Sequence, residues 1–281
     1  MDWQPGKKLT LSAAEDCWRG RAFVDSIELE MGRSYRDQMA SLDLGKADLI
    51  EVAPEQVHRA SMDGRRLASS LPVELMALVF AREESSPEEK LLRETLTLSI
   101  DRTSMRSVLL QGAGQPAAGI LPTWMSGYGF VFPVDADLAK ARHDREQVRT
   151  VPSWTLGYDG SDAVARLVAE RIALNAKDAG LSLQTTSVAT SDLRLMRIPL
   201  SSADPWIALA DVAGLVNAQL KRSAGPVEDL YAAEQSFMAT QKIIPLFHLP
   251  LSYAGSAPLK NWTVGPDGEW SLADAWLGSK Q

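Results

Sequence analysis

A glycine-rich segment is the first candidate for chemistry in this chain. The hexapeptide Gly112-Ala113-Gly114-Gln115-Pro116-Ala117 formally fits the dinucleotide-binding pattern G-x-G-x-x-A, and the acidic Asp135 follows it at a suitable distance. That pattern requires a strand before the glycines and a helix that begins on them. Here the preceding residues are predicted to be helical, and Pro116 disfavours a following helix. The segment is therefore interpreted as a structural turn, and no cofactor is expected.

The other side chains that could do chemistry are scattered. The three histidines, His58, His143 and His248, are far apart and lack the spacing of paired metal ligands. No serine lies in the G-x-S-x-G motif of the α/β-hydrolases. The single cysteine, Cys17, excludes an internal disulfide and is predicted to be a small, partly buried apolar residue. The sequence predicts a protein that is not an enzyme and holds no metal.

The composition is that of an ordinary globular protein. Of 281 residues, 45% are hydrophobic and 23% are charged, which suits one large domain or two smaller ones. The net charge of −7 argues against a nucleic-acid partner, because such a surface needs clustered lysine and arginine. No apolar run approaches the roughly 20 residues of a membrane span.

One pair of helices is well marked by its end signals. Ser86 supplies an N-cap, Pro87 suits the first helical position, and Glu89 completes a capping box. This helix is predicted to end near Asp101, which can cap the segment that follows. Gly112 can then adopt the positive φ that ends the second helix.

The same stretch resembles the hallmark of the family 5 extracellular solute-binding proteins, the peptide, nickel and oligosaccharide receptors of ABC importers. The family pattern is an arginine, an Ile-Asp-Arg triplet, an apolar helix, Gly-x-Gly-x-Pro-Ala and Leu-Pro. In this family context we expect Asp101 and Arg102 to cap and brace helices rather than to touch solute. The matching residues are Arg93, Ile100, Asp101, Arg102, Gly112, Gly114, Pro116, Ala117, Leu121 and Pro122.

The resemblance extends over nearly the whole chain but over only about half of the expected family protein. In the family, a segment like Pro5–Leu11 lies in mid-chain, after a Gly-Thr-Gly-Pro-Phe element that this sequence lacks. We therefore expect a receptor truncated at its N-terminus, whose missing N-terminal lobe is itself a partner of this chain. Such a fragment would expose apolar surface and is expected to self-associate.

Strands and helices are predicted to alternate, as in layered α/β folds. A strand at Ser153–Tyr158, an amphipathic helix at Ser161–Lys177 that ends by Gly180, and a strand at Leu181–Val188 form one unit. Val73–Ala81 is a nearly continuous apolar run, typical of a strand covered on both faces.

A second strand–helix–strand unit is predicted near the N-terminus. It consists of a strand at Phe23–Met31, a helix that begins at Ser34, and a strand at Asp48–Val52. We expect these two strands to be parallel neighbours joined by a right-handed crossover. Together with the resemblance, the alternation predicts the fold class as α/β, similar to the type II periplasmic binding proteins, with one complete lobe plus part of the other.

The resemblance also implies the domain organisation. Residues 1–72 are expected to be part of the first lobe, residues 73–247 to form the second α/β lobe, and residues 248–281 to return to the first lobe. Receptors of this type bind solute between two lobes and close on it by hinge motion.

The stretch RLMRIPLSSADPW, residues 194–206, is the most informative about ligand. Peptide-binding members carry Asp-Tyr-x-Asp-Pro before a helix, and the first aspartate holds the amino terminus of the ligand. Aligned on Asp204 and Pro205, that aspartate is replaced by Ser201. A serine cannot offset the desolvation of an ammonium group, so its presence argues against this mode of peptide recognition. The retained Asp204 is predicted to be a helix N-cap.

Six side chains are predicted to bind ligand, each with a structural alternative. The aromatic loop at 124–132 either lines an apolar pocket or packs between loop and core. The residues at 201–206 either face the ligand or have cap and core roles. His248 is either a polar residue at a strand end near a domain junction or a group that hydrogen-bonds the ligand. The predicted residues are Trp124, Tyr128, Ser201, Ser202, Trp206 and His248.

These observations predict the solute receptor of an ABC-type importer, which binds a peptide-like or other small solute and works with a membrane permease. The predicted location is periplasmic or extracellular, associated with the membrane through the transporter, although the N-terminus shows no signal-peptide hydrophobic region. The alternative is a non-transport ligand-sensing or interaction module built on the same lobe.

Overall fold

The computed structural model describes residues 2–18, 20–218, 220 and 226–278. The chain forms two compact units, unit 1 with Met1–Leu71 and Leu251–Gln281, and unit 2 with Pro72–Pro250. The strands are β1 (Asp2–Gln4), β2 (Lys8–Ser12), β3 (Ser26–Glu30), β4 (Leu49–Glu51), β5 (Arg66–Phe80), β6 (Gln115–Pro116), β7 (Ser153–Gly157), β8 (Ser182–Thr186), β9 (Leu193–Pro199), β10 (Ile243–Gly255), β11 (Leu259–Lys260), β12 (Thr263–Val264), β13 (Trp270–Ser271) and β14 (Trp276–Leu277). The helices are α1 (Tyr35–Asp43), α2 (Val57–Met62), α3 (Pro87–Ser99), α4 (Arg102–Val108), α5 (Thr123–Ser126), α6 (Leu138–Glu146), α7 (Ala163–Asp178), α8 (Pro205–Leu215) and α9 (Val227–Met238), with 3₁₀ turns at Pro54–Gln56 and Gly129–Val131.

Unit 1 corrects the prediction of an N-terminal parallel crossover. Strand β3 belongs to an antiparallel sheet in the order β1–β2–β3, whereas β4 pairs antiparallel with the last residues of β10. The residues of β3 alternate between exposed and half-buried, so one face of this strand is solvated. That pattern suits an open antiparallel sheet better than a parallel strand buried on both faces, and the crossover prediction was wrong.

The connection between β2 and β3 in unit 1 is exposed to solvent. Cys17 is exposed, so its predicted partial burial was wrong. It lies in the connection between β2 and β3, whose described residues are mostly exposed. The sequence predicts a turn over Trp18–Arg21 in this connection, and Arg19 lies outside the described residues. None of the helices in the described ranges has the length and apolar character needed to cross a bilayer.

Unit 2 is built on one mixed sheet. Its strands lie in the order β10–β5–β9–β7–β8, and β6 pairs with β10. Strand β5 is antiparallel to β9, from the Glu74 and Pro199 pair to the Phe80 and Leu193 pair. Strand β7 is parallel to both β8 and β9, so β7, α7 and β8 form the predicted strand–helix–strand unit.

Both faces of the unit 2 sheet are covered by helices. Successive residues of β5 point alternately to two hydrophobic cores, which explains its continuous apolar run. We name the cores after the helices that cover them. The α7-side core contains Leu78, Leu96, Ile100, Met105, Ile172 and Leu195. The α8-side core contains Leu75, Ile120, Tyr128, Ile198, Leu209, Leu230 and Phe237.

The predicted N-caps of α3 and α4 are confirmed, whereas the Glu89 carboxylate of the predicted capping box accepts from the amide of Ser85 at 2.9 Å, one residue before Ser86. The Ser86 hydroxyl accepts a hydrogen bond from the Glu89 amide at 3.1 Å, and the Asp101 carboxylate accepts one from the Ser104 amide at 3.0 Å. Gly112 has the predicted positive φ of 84°, although α4 has already ended at Val108.

The glycine-rich segment is a structural turn. It leads into the short strand β6 rather than into a helix, which removes the geometry that a dinucleotide site needs. Gly114 has a φ of 67°, and a Cβ atom at this position would lie 2.9 Å from the backbone oxygen of His248. Only glycine therefore allows the turn to approach β10 this closely.

Candidate functional site

The first part of the candidate site is the segment that carries Trp124. Helix α5 begins after Pro122 and presents the indole of Trp124, which is 36% exposed. The indole Nε1–H donates to the backbone oxygen of Pro72 at 2.7 Å. Phe130, further along the same loop, is 75% exposed. The segment thus presents aromatic surface to solvent, with one ring fixed by its own polar atom.

The second part is the connection between β9 and α8, which carries Ser201, Ser202 and Trp206. Its first residue, Leu200, donates its amide to the backbone oxygen of Val73 at 2.8 Å. Successive carbonyls of a strand point to opposite edges, and Pro72 directly precedes Val73 in β5. The two parts of the site are therefore attached to opposite edges of β5 at neighbouring residues.

The polar groups of this second part are bonded within the chain. The Ser201 hydroxyl donates to the Asp211 carboxylate, and both residues are exposed. The Ser202 hydroxyl accepts from the Asp204 amide at 3.0 Å. The Asp204 carboxylate accepts from the Trp206 amide at 2.9 Å, which confirms the predicted N-cap of α8. The Trp206 side chain is partly buried against the α8-side core.

Tyr128 lies within the α8-side core and is only 7% exposed. Its hydroxyl donates to Oε2 of Glu234 at 2.7 Å. The other carboxylate oxygen of Glu234 accepts from the amides of Ile120 at 2.6 Å and Leu121 at 3.1 Å. Burial raises the pKa of Glu234, and its three donors oppose that shift. Burial, and then the neighbouring Glu234, also raise the pKa of Tyr128.

His248 is buried in β10 and bonds to the carbonyl of Ile120, the residue whose amide donates to Glu234. Its Nε2 lies 3.0 Å from the backbone oxygen of Ile120, and a carbonyl only accepts, so Nε2 carries the proton. Burial lowers the pKa of His248 to about 4, against the opposing effect of its bonds to Ile120 and Gly119. The side chain is therefore neutral at physiological pH.

The six predicted residues thus form two groups rather than one cluster. Trp124, Tyr128 and His248 are connected through the segment that begins at Ile120. Ser201 and Ser202 precede α8, and Trp206 lies in its first turn and packs against the same core as Tyr128. The exposed indole of Trp124 can pack against a small polar solute, and the Ser201 hydroxyl with the Asp211 carboxylate can hydrogen-bond one.

Two grooves of the molecule lie elsewhere. One of about 660 Å³ in unit 1 is lined by residues that include Phe23, Ser26 and Trp276. Another of about 560 Å³ follows α7 and β8 in unit 2. None of the six predicted residues lines either groove. Within the described ranges, no three His, Cys, Asp or Glu side chains are grouped so that they could hold a metal ion.

Two residues of this region were missed by the sequence reasoning. Glu234 carried a usable signal, because it lies on the same face of α9 as the buried Leu230 and Phe237. A charged residue on a buried stripe needs hydrogen-bond partners and so marks a polar network. Asp211 gave no such signal, because an exposed aspartate on a helix is ordinary.

Comparison with known proteins gives a consistent result. Residues 1–208 match the model of the bacterial extracellular solute-binding proteins, family 5 middle. Protein XP55 of Streptomyces lividans is 25% identical over 196 residues, which are 65% of this chain and 36% of that protein. The matched segments span between 27% and 36% of the length of the curated relatives.

Two solved structures show the same fold. A dipeptide-binding protein from Pseudoalteromonas sp. SM9913, in complex with Met-Leu, has a TM-score of 0.78 at 15% identity and covers 98% of this chain and 63% of its own. NikZ from Campylobacter jejuni, in complex with Ni(L-His), has a TM-score of 0.77 at 15% identity and covers 96% of this chain and 66% of its own. The predicted α/β fold of the type II binding-protein kind is confirmed. Because the family model matches more than half of the sequence, and the fold agrees with it, the chain belongs to family 5 of the bacterial extracellular solute-binding proteins.

Proposed function

We propose that this chain is the solute receptor of an ABC-type importer, and that the face of unit 2 around Trp124 and Ser201 binds a peptide-like or other small solute. The observation that carries the proposal is the geometry of Trp124. Its indole N–H is bonded to Pro72 at 2.7 Å, yet the ring is 36% exposed. A ring held in one orientation at the surface can pack against a solute with little further loss of conformational entropy.

The other predicted residues have different roles in this proposal. Ser201, Ser202 and Trp206 contact the solute from the start of α8. Tyr128 and His248 are buried, so they shape the binding face from behind it. The carboxylate of Asp211 lies against the Ser201 hydroxyl and supplies the negative charge that serine itself lacks. A cationic or hydrogen-bond-donating group of the solute is placed next to this pair.

The similar structures guide the choice of solute. One holds the dipeptide Met-Leu and the other holds Ni(L-His). Both ligands are small and are made from amino acids, which is the class that we propose for this chain. The proposed partner is the membrane permease of an importer, and the proposed location is the periplasm or the cell exterior. Residues 73–247 are proposed as the second lobe, and residues 1–72 and 248–281 as parts of the first.

A thermal-shift screen followed by calorimetric titration tests this function. The 281-residue chain is screened with dipeptides and tripeptides, with Ni(L-His), and with oligosaccharides. We expect a peptide or the nickel chelate to raise Tm. Trp124→Ala is expected to weaken its binding by about tenfold or more, as for a central aromatic contact. Leu174→Ala, an exposed apolar residue on α7, is the control. A screen without any stabilising solute, or an unchanged Kd for Trp124→Ala, would overturn the proposal.

A further inference from the structure

One carboxylate holds both ends of the segment that presents Trp124. Glu234 Oε1 accepts from the amides of Ile120 and Leu121 at 2.6 and 3.1 Å, where the segment begins. Glu234 Oε2 accepts from the hydroxyl of Tyr128 at 2.7 Å, where it ends. The side chain of Glu234 is 0% exposed. Trp124 lies between these two attachment points.

The segment is also stiffened from within. The Ser126 hydroxyl donates to the backbone oxygen of Pro122 at 3.1 Å and accepts from the amide of Gly129 at 3.1 Å. These bonds close the turn around α5, so the segment has little internal freedom. Its orientation is then set by the two ends that Glu234 holds and by the bond from Trp124 to Pro72.

The surroundings of Glu234 are adapted to this contact. A Cβ atom on Gly119 would lie 2.8 Å from Glu234 Oε1 and 2.7 Å from Cδ2 of Phe132, so the carboxylate reaches the segment only because residue 119 is glycine. Hydrogen bonds, and no basic side chain, oppose the desolvation of Glu234 in the described part of the chain. Burying a carboxyl group without a basic partner is costly, and hydrogen-bond donors to both of its oxygens reduce that cost.

We propose that Glu234 is a positioning residue of the solute site, whose carboxylate clamps the Ile120–Tyr128 segment and thereby fixes the orientation of Trp124. The clamp acts on the solute-free protein, whereas its effect on affinity rests on the function proposed for Trp124. Glu234 itself is buried and touches no solute. Its role is to reduce the conformational freedom that the binding face would otherwise lose when solute binds.

The test separates the clamp from a general contribution to stability. The 281-residue chain is labelled with 5-fluorotryptophan, and the Trp124 resonance among its eight tryptophans is identified by its loss in Trp124→Phe. Tyr128→Phe removes one hydroxyl and releases one end of the segment. Tyr231→Phe is the matched control, because its ring packs against Tyr128 at 5.3 Å but its hydroxyl meets Gln235 at 3.4 Å. Glu234→Leu, which removes both acceptor oxygens, is the second clamp variant.

We expect the Trp124 resonance to shift or broaden in solute-free Tyr128→Phe and Glu234→Leu and to remain unchanged in Tyr231→Phe. Solute affinity should fall by at most about tenfold in Tyr128→Phe, the limit in which solute binding must restore the whole free energy of one lost hydrogen bond. An unchanged Trp124 resonance in both clamp variants, with only a lower Tm, would overturn the proposal. If the resonance changes while Trp124→Ala leaves the Kd unaltered, the clamp stands and the proposed function fails.

Discussion

Two buried ionisable side chains on opposite sides of the unit 2 sheet hold different parts of the molecule in place. Arg102, next to the α7-side core, is 2% exposed and donates from Nε to the backbone oxygen of Pro245 at 3.0 Å. Its Nη1 lies 3.4 Å from the backbone oxygens of Thr97 and Ile100. Glu234, in the α8-side core, is 0% exposed and accepts from two backbone amides and one hydroxyl. Arg102 thus donates to backbone carbonyls, whereas two of the three donors to Glu234 are backbone amides.

The difference lies in what each side chain connects. Arg102 joins the end of α3 to β10, and those elements are already ordered by their own hydrogen bonds. Burial lowers its pKa to about 10, so it stays charged at neutral pH. Glu234 instead joins α9 to a segment with only one short helix of its own. We infer that Arg102 stabilises the frame, whereas Glu234 orders the candidate binding face.

Replacing Glu234 by leucine is expected to have the largest effect on stability. The change leaves the amides of Ile120 and Leu121 and the hydroxyl of Tyr128 buried without an acceptor, at about 1–3 kcal/mol for each group. We expect the free energy of unfolding to fall by about 4 kcal/mol, measured by urea denaturation. Glu228→Leu on the exposed side of α9 is the control and should cost less than about 1 kcal/mol. Equal losses in the free energy of unfolding would show that the buried Glu234 contributes no more to stability than the exposed Glu228.

Replacing Arg102 by methionine tests the role of the other side chain. The backbone oxygens of Pro245 and Thr97 lose the guanidinium donor, whereas the oxygen of Ile100 keeps the amide of residue 102 as a donor at 3.1 Å, and we expect a loss of about 3 kcal/mol in the free energy of unfolding. Solute affinity, measured well below Tm, should remain within about twofold, because Arg102 bonds only to the frame. A loss of affinity as large as that of Glu234→Leu would mean that Arg102 and Glu234 do not differ in function.

His248 lies between the two networks, on β10 like Pro245 and bonded to Ile120 like Glu234. Its pKa is lowered to about 4 in the folded state from a reference of 6.5. Between these values the unfolded chain binds a proton that the folded chain does not, so stability falls as the pH drops through this window. We expect a loss of roughly 2–3 kcal/mol between pH 7 and pH 4.5 that is absent in His248→Gln.

Urea denaturation at a series of pH values measures this effect as the difference between the unsubstituted chain and His248→Gln. The difference is needed because carboxylates also titrate near the lower end of the range. His143→Gln, on the exposed face of α6, is the matched histidine control and should retain the slope. The same pH slope in His248→Gln as in the unsubstituted chain would show that His248 is not the group responsible.

The contrast between these residues also shows what the sequence can predict. The caps of α3 and α4 were predictable because each depends on residues three positions apart. The family hallmark included Arg102, and its bracing role is confirmed. Glu234 belongs to no motif, and its partners lie between 106 and 114 residues away in the chain, so no local pattern identifies them.

The predicted pairing of β3 with β4 was wrong for the same reason. The sequence correctly indicated β3 and β4 as strands, but their partners are set by contacts that are distant along the chain. The β7–α7–β8 unit was predicted correctly because a long amphipathic helix joins two adjacent strands directly. Of the candidate site, only the Asp204 cap follows from a local signal. The bond of Trp124 to Pro72, 52 residues away, and the burial of Tyr128 and His248 required the fold.

A double-mutant cycle on solute affinity shows whether Glu234 acts on binding through Trp124. The Kd of the solute found in the screen is measured by calorimetry for the unsubstituted chain, Trp124→Ala, Glu234→Leu and the double variant, each well below its Tm. We predict that Glu234→Leu weakens binding in the presence of Trp124 but causes no further loss once Trp124 is alanine. Losses that multiply in the double variant would contradict this prediction, because Glu234 would then affect binding independently of the ring.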